Sequence, residues 1–424
     1  MTGRALSENR RLRFAIFATL YAAQGIPDAM VLIVFPAFLA AHGASASAIG
    51  AFLATAMLPN AAKLVVGPLV DRIAWLPMGQ RKPWLMIGQV GIASSFAALA
   101  CLDDPARQLG WFTAGAFAIT LSTVFQDVAT DATAMDLIPP GEQGRANGIM
   151  WGAKTLGTAG AASLGAVILA TFGFAAMAGA AATALLVVLC GAAAIRERPG
   201  ERLLPWMRGA AAPGATAHRP ESGLLILRAL MAALKRPAAA RLVLLSLAIG
   251  LIVGMTGALA PVLMVGKLDW TQTDYAQFRS SLKLVSGVAG MLFGGIAIDR
   301  LGYRAVLVAA LAAIALANLA LAVTLGGTGA IAYLIAYEML LVFAFITFFA
   351  ATMSQCARAI AATQFSFTMV CGNIAMSIGA ALMGPIIDAG GVRAVLAVIA
   401  GVALAGGAVM MGWRAGASRW SPTG

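Results

Sequence analysis

Charge is what this sequence has least of: 11% of its 424 residues are Asp, Glu, Lys or Arg, against 61% hydrophobic. Soluble domains carry about 25% charged residues, so an aqueous globular fold is excluded. Histidine is nearly absent; His42 and His218 stand in no spacing with Cys or Glu that would hold a metal. Cys101, Cys190, Cys356 and Cys371 are scattered through apolar stretches with no close pair. They are expected as small packing residues, which leaves no disulfide framework. Neither a phosphate-binding loop nor a nucleophile–base pair is visible, so no enzyme active site and no cofactor are expected.

What the chain does have is long apolar runs, rich in its 47 glycines and 20 methionines. A helix needs about 20 residues to cross hydrocarbon, and twelve runs fit: 14–40, 49–70, 84–102, 111–135, 147–171, 174–195, 241–265, 279–298, 304–325, 329–352, 363–387 and 392–413. The first is too long for the core of a cleavable signal and follows Arg10, Arg11 and Arg13, so it is expected as an uncleaved span. The fold expected is an all-α integral membrane protein of twelve transmembrane helices in two six-helix bundles, residues 1–195 and 241–424. Residues 196–240, basic and proline-containing, form the linker, within which Leu224 to Leu234 has the pattern of an amphipathic helix on the inner leaflet. Gly148, Gly152, Gly157 and Gly160 in the fifth run, with Gly287, Gly290, Gly294 and Gly295 in the eighth, are expected to allow close helix packing.

The net charge of +12 is an orientation signal. With the N-terminus inside, 22 of the 29 Lys and Arg fall in cytoplasmic segments and three inside helices. Arg107, Lys267, Arg279 and Arg393 fall outside. This asymmetry places both termini in the cytoplasm and requires no nucleic-acid partner.

Gly67-Pro68-Leu69-Val70-Asp71-Arg72, with Arg81-Lys82 beyond it, joins two apolar runs, and Gly-x-x-x-Asp-Arg returns at Gly295 to Arg300. One motif at matching places in two halves indicates an internal repeat. Asp71, Arg72, Arg81, Lys82, Asp299 and Arg300 are the candidate gate, able to latch one conformation by pairing with a carboxylate or a helix C-terminus.

Seven ionisable residues fall within the predicted spans: Asp28, Lys63, Asp127, Asp131, Lys154, Lys283 and Glu338. Each costs roughly 2.5–3.5 kcal/mol near a helix centre and therefore needs a partner or a wet cavity. Lys154 and Lys283 lie near predicted span ends, where a lysine can also reach out to the interface. Asp127 and Asp131 stand one turn apart, and two carboxylates that close do not both stay ionised without a counter-charge. They are candidate proton carriers; the alternatives are a structural network neutralised by Lys63 or Lys154, and direct substrate contact. Glu338 is a second proton site or a substrate group. Gln24 and Asp28, flanking Pro27, and the two lysines Lys63 and Lys154 are candidate substrate contacts.

With these residues in view, the chain resembles the AmpG-type muropeptide permeases, a branch of the major facilitator superfamily with acetyl-coenzyme A and siderophore permeases among its relatives. The resemblance rests on Gln24-Gly25-Ile26-Pro27, on Leu58-Pro59 and Lys63 leading to Asp71-Arg72, and on Gln126-Asp127-Val128-Ala129-Thr130-Asp131-Ala132. It continues through Leu137-Ile138-Pro139-Pro140-Gly141-Glu142-Gln143-Gly144-Arg145, Glu338 and Ala362-Thr363-Gln364-Phe365. Lys154 departs from the arginine more common there, and Asp28 is unusual after Gln-Gly-x-Pro. The resemblance implies a proton-driven inner-membrane importer whose functional core includes Lys63, Asp127, Asp131, Lys154 and Glu338. The expected protein is a monomer that carries protons and a small polar or anionic metabolite across the bilayer, a muropeptide first. The alternatives are a siderophore importer, an exporter of drugs or metabolites, and a non-transporting scaffold of the same fold.

Overall fold

The computed structural model describes residues 5–72, 76–79, 81–139, 142–210, 236–355 and 361–412. Nine long helical stretches lie among the described residues: α1 Arg10–Ala41, α2 Ala46–Val70, α3 Lys82–Ala100, α4 Leu109–Leu137, α5 Gln143–Ala193, α6 Pro237–Met264, α7 Gln272–Thr324, α8 Gly327–Gln355 and α9 Ala361–Met411. Each contains a segment long and apolar enough to cross a bilayer. Among the described residues the fold is helical, with an isolated bridge between Ala5 and Arg196.

Three of these stretches are far longer than a bilayer requires. α5, α7 and α9 have 51, 53 and 51 residues, about 75–80 Å if straight. Each reverses at a glycine whose positive φ no L side chain adopts readily: Gly173 (83°), Gly302 (77°) and Gly391 (71°). The reversals show in the packing. Gly157 and Val188, on the two arms of α5, line one groove. Arg279 and Asn318, on the two arms of α7, meet Glu338 and Tyr333 of α8, little more than a turn apart. Gly372 and Gly406, on the two arms of α9, both pack on α6 near Ala248 and Gly250.

The first two helices are irregular at mid-depth. Pro27 lies inside α1, where it removes a backbone donor, and a π-helical turn follows at Met30–Val34. α2 passes through a 3₁₀ turn at Leu58–Ala62, entered by Pro59, before resuming at Lys63. Such interruptions recur at functional positions in helices.

Glycines set the helix contacts. Gly25 of α1 meets the backbone of Gly157 and Thr158 in α5, leaving no room for a side chain at either glycine. Gly250 and Gly254 of α6 press on the α9 backbone at Gly372 and Met376. Gly290 and Gly294 meet Val342 and Ile346 of α8 as expected, whereas Gly152 and Gly160 face open space. The surroundings of Gly148 and Gly295 are not among those described. At the end away from Arg10 and Arg81, Gly50 and Gly384 bring α2 against α9, and Ser47 Oγ donates to Asp388 at 2.6 Å. Below this contact Phe35 gathers Phe52, Phe96, Phe112 and Phe174 around its ring.

Gly157→Val is expected to overpack the α1–α5 contact at a cost of about 1–3 kcal/mol, whereas Gly160→Val, one turn on, has free space. Thermal unfolding of the two purified variants in detergent checks this; equal melting temperatures would contradict it.

Candidate functional site: paired charges between the helices

The charged side chains inside the first half converge from four helices. Lys63 Nζ of α2 lies 2.5 Å from Asp127 Oδ2 of α4, and Lys154 Nζ of α5 lies 3.1 Å from Asp28 Oδ2 of α1. Asp131, one turn beyond Asp127, accepts a hydrogen bond from the Tyr21 hydroxyl of α1. Tyr21, Gln24 and Asp28 share one face of α1, and Gln24 is fully buried. The network therefore holds three carboxyl groups against two ammonium groups, and the acid left without a direct basic partner meets a phenol. Lys154 also acts electrostatically on Asp127 and Asp131, so the members form one unit. Its ion-paired side chains keep part of their surface accessible, 15% for Asp127 and 33% for Lys63, so this is not a sealed core pair. Chemically it can accept or release a proton, or exchange one internal partner for a group on a ligand.

Glu338 of α8 is placed differently. It pairs with Arg279 of α7 at 2.5 Å, and both are buried. This corrects the expected position of Arg279 in an outside loop. α7 starts earlier than the apolar run does, at Gln272, with the Thr271 side chain accepting from Asp274 N at 3.0 Å. The snorkelling alternative fails for Lys154. Lys154 and Lys283 are each the twelfth residue of their helix, and Lys154 turns inward to Asp28.

Of the candidate gate, Arg81 and Lys82 are buried in a layer at the start of α3. The Arg81 guanidinium pairs with Asp136 and donates to the Ala132 carbonyl at 2.7 Å, bracing the end of α4. Lys82 Nζ donates to the carbonyls of Ala193, Ile195 and Leu203, capping the end of α5. Glu197 accepts from the backbone amides of Arg81 and Lys82 at 3.2 and 2.7 Å. These contacts stay within the first half and the linker. Asp299 and Arg300 are exposed just before Gly302; the side chains of Asp71 and Arg72 lie outside the described residues.

The start of the expected linker is tied to the N-terminal segment. Leu6 N and Ser7 N donate to the carbonyls of Arg196 and Glu197, and both Glu197 and Glu201 are buried. The region Leu224 to Leu234 lies outside the described residues. Tyr21, Arg279, Asp136 and Glu197 were not anticipated from the sequence. The spacing of Tyr21, Gln24 and Asp28 carried a signal, since it is one helical face.

Among the described residues, nine helical stretches long and apolar enough to cross a bilayer, with ion pairs between them, define an integral membrane protein. The chain is a member of the major facilitator superfamily, whose family model matches residues 17–380. Among curated proteins it is similar to the anhydromuropeptide permease of Escherichia coli strain K12, 30% identical over 132 residues, or 31% of this chain and 26% of that one. An uncharacterized protein of Haemophilus influenzae is 30% identical over 125 residues, 30% and 29% of the two chains. The matched segment thus spans less than a third of these relatives. Two solved structures share the fold: the nucleoside transporter NupG, TM-score 0.72 at 13% identity over 94% of this chain and 98% of that one, and a POT family transporter in complex with 5-aminolevulinic acid, TM-score 0.68 at 13% identity over 95% of each.

Stability is expected to depend on pH through Glu201, buried in the segment that follows α5. Burial, reinforced by the nearby Glu197 carboxylate, pushes the Glu201 carboxyl up from 4.5 to about 7. The folded form therefore holds this proton more tightly than the unfolded chain does. Its contribution is full below the ordinary carboxylate range and is lost as pH rises through about 7. Glu201→Gln is expected to flatten that part of the melting temperature profile between about pH 5 and 8; an unchanged profile would contradict it.

Proposed function

We propose that this chain is a proton-coupled secondary transporter that imports a polar or anionic metabolite across the inner membrane, with an anhydro-muropeptide as the favoured substrate. The observation that carries the reading is the first-half network: three carboxyl groups, two lysines and a tyrosine hydroxyl. On this reading Asp127 and Asp28 are held by the lysines, and Asp131 is the group that takes up and releases the proton. Gln24, Asp28, Lys63 and Lys154 face the substrate, which exchanges with the internal ion pairs. The local likeness to an anhydromuropeptide permease supports the substrate class.

Counting each arm of α5, α7 and α9 as one crossing, the chain crosses twelve times, in two bundles of six, as a monomer with both termini in the cytoplasm. The Ser47–Asp388 contact then closes the outer face. Rocking of one bundle against the other would open it, with the Asp71–Arg72 and Asp299–Arg300 loops as the inner gate and Arg81 and Lys82 bracing the first bundle.

The test is uptake of labelled anhydro-muropeptide into proteoliposomes, with and without an inward proton gradient, and a labelled ferric siderophore in parallel. Gradient-stimulated muropeptide uptake is expected, and Asp131→Asn should cut the stimulation by at least about tenfold while counterflow exchange persists. Asp127→Asn, which leaves Lys63 unpaired, should abolish both. Normal gradient-dependent uptake in both variants would overturn the proton site; stimulated uptake of the siderophore alone would overturn the substrate.

A further inference from the structure

The second half carries the opposite charge balance. Around Glu338 stand Arg279, in direct contact at 2.5 Å, and Lys283, close enough to act on the carboxylate electrostatically. This makes two bases against one acid, where the first half has three acids against two bases. Arg279 spends Nη2 on Glu338, while its Nε and Nη1, both buried, have no hydrogen-bond partner among the described residues. A guanidinium presents five donors in a planar fork, and buried donors are rarely left without an acceptor. Arg279, Lys283 and Gly287 follow one another at single turns on one face of α7, and Gly287 packs against Thr155 of α5, beside Lys154. That face therefore looks toward the first-half network. Thr273, nearly two turns before Arg279, donates to the Ala166 carbonyl of α5 at 3.4 Å, closing the same face toward the outer end.

We propose that Arg279, assisted by Lys283, is the receptor for an oxyanion of the transported molecule, a carboxylate, and that Glu338 is the internal surrogate that occupies it between cargoes. The proposal rests on the transport reading and adds to it the group that selects for negative charge. When α5 and α7 part at Thr273, the cargo's carboxylate displaces Glu338 from the guanidinium fork, a bidentate match that a lysine alone does not offer.

The experiment is a thermal-shift titration of the purified protein with four probes: an anhydro-muropeptide, the same compound with its peptide carboxylates amidated, citrate, and inorganic phosphate. It is run on the wild type, on Glu338→Gln, and on the double variant Arg279→Gln/Glu338→Gln, which removes both buried charges together and so avoids stranding one. Stabilisation by the muropeptide but not by its amide is expected in the wild type, enhanced in Glu338→Gln and lost in the double variant. If the muropeptide has no effect but citrate stabilises the wild type and not the double variant, the receptor stands and the muropeptide reading falls. Equal stabilisation of the double variant and the wild type overturns the receptor and leaves the transport reading intact. Stabilisation by phosphate alone, lost in the double variant, overturns the carboxylate assignment in favour of a phosphorylated cargo. No shift with any probe in the wild type or in Glu338→Gln overturns both.

Discussion

Everything distinctive in this molecule follows from the cost of holding charge in a low-dielectric slab. An unpaired charge there costs roughly 2.5–3.5 kcal/mol even on the most lenient scales. The protein nevertheless keeps Asp28, Lys63, Asp127, Lys154, Arg279 and Glu338 inside long apolar helices, each with a partner of opposite sign on another helix. Those partners cross-link α1 to α5, α2 to α4 and α7 to α8. Pairing makes the helices insertable, and it also makes them separable. A partner that can be replaced by a proton or by a group on a cargo is a contact with two states, which a transporter needs.

The backbone is arranged around the same constraint. Helices must lie close for short side chains such as Asp28 and Asp131 to be reached, and the glycines at Gly25 and Gly157 bring α1 and α5 together backbone to backbone. The irregular turns after Pro27 and at Leu58–Ala62 fall within a turn or two of Asp28 and Lys63. Freed backbone groups at that depth persist only where other protein groups or a wet cavity satisfy them. Charge and irregular backbone are thus found together, in the part of the first half that contacts the second through Thr155 and Gly287.

Much of this was legible in the sequence, because hydrocarbon imposes a length and a polarity that few other environments impose. The apolar runs located the helices, and the acids and lysines inside them marked the network. The pairings were not legible. Lys63 and Lys154 were interchangeable partners for the aspartates until the helix rotations were known, and rotation depends on glycine contacts distant in sequence. Tyr21 escaped notice because a tyrosine in an apolar run is usually packing; only its register with Gln24 and Asp28 distinguished it. Arg279 was misplaced because hydropathy marks where apolar residues begin, whereas α7 starts seven residues before it, at a Thr271 cap. The buried start of the linker was hidden too: Glu197 and Glu201 sit among arginines in a stretch whose composition suggests solvent, yet they close the layer beneath α3 and α5.

The central proposal is that, of the three aspartates in the first-half network, Asp131 carries the exchangeable proton, while Asp127 and Asp28 are paired with Lys63 and Lys154. Difference infrared spectroscopy of the reconstituted protein across a pH titration addresses it directly, because a neutral carboxyl and a carboxylate absorb apart. In a Glu201→Gln background, which removes the buried carboxyl after α5 that is raised to about 7, the account predicts a titrating neutral-carboxyl band that disappears when Asp131→Asn is added and persists when Asp28→Asn is added. A band unchanged by Asp131→Asn in that background, or absent from it at every pH, would contradict the account.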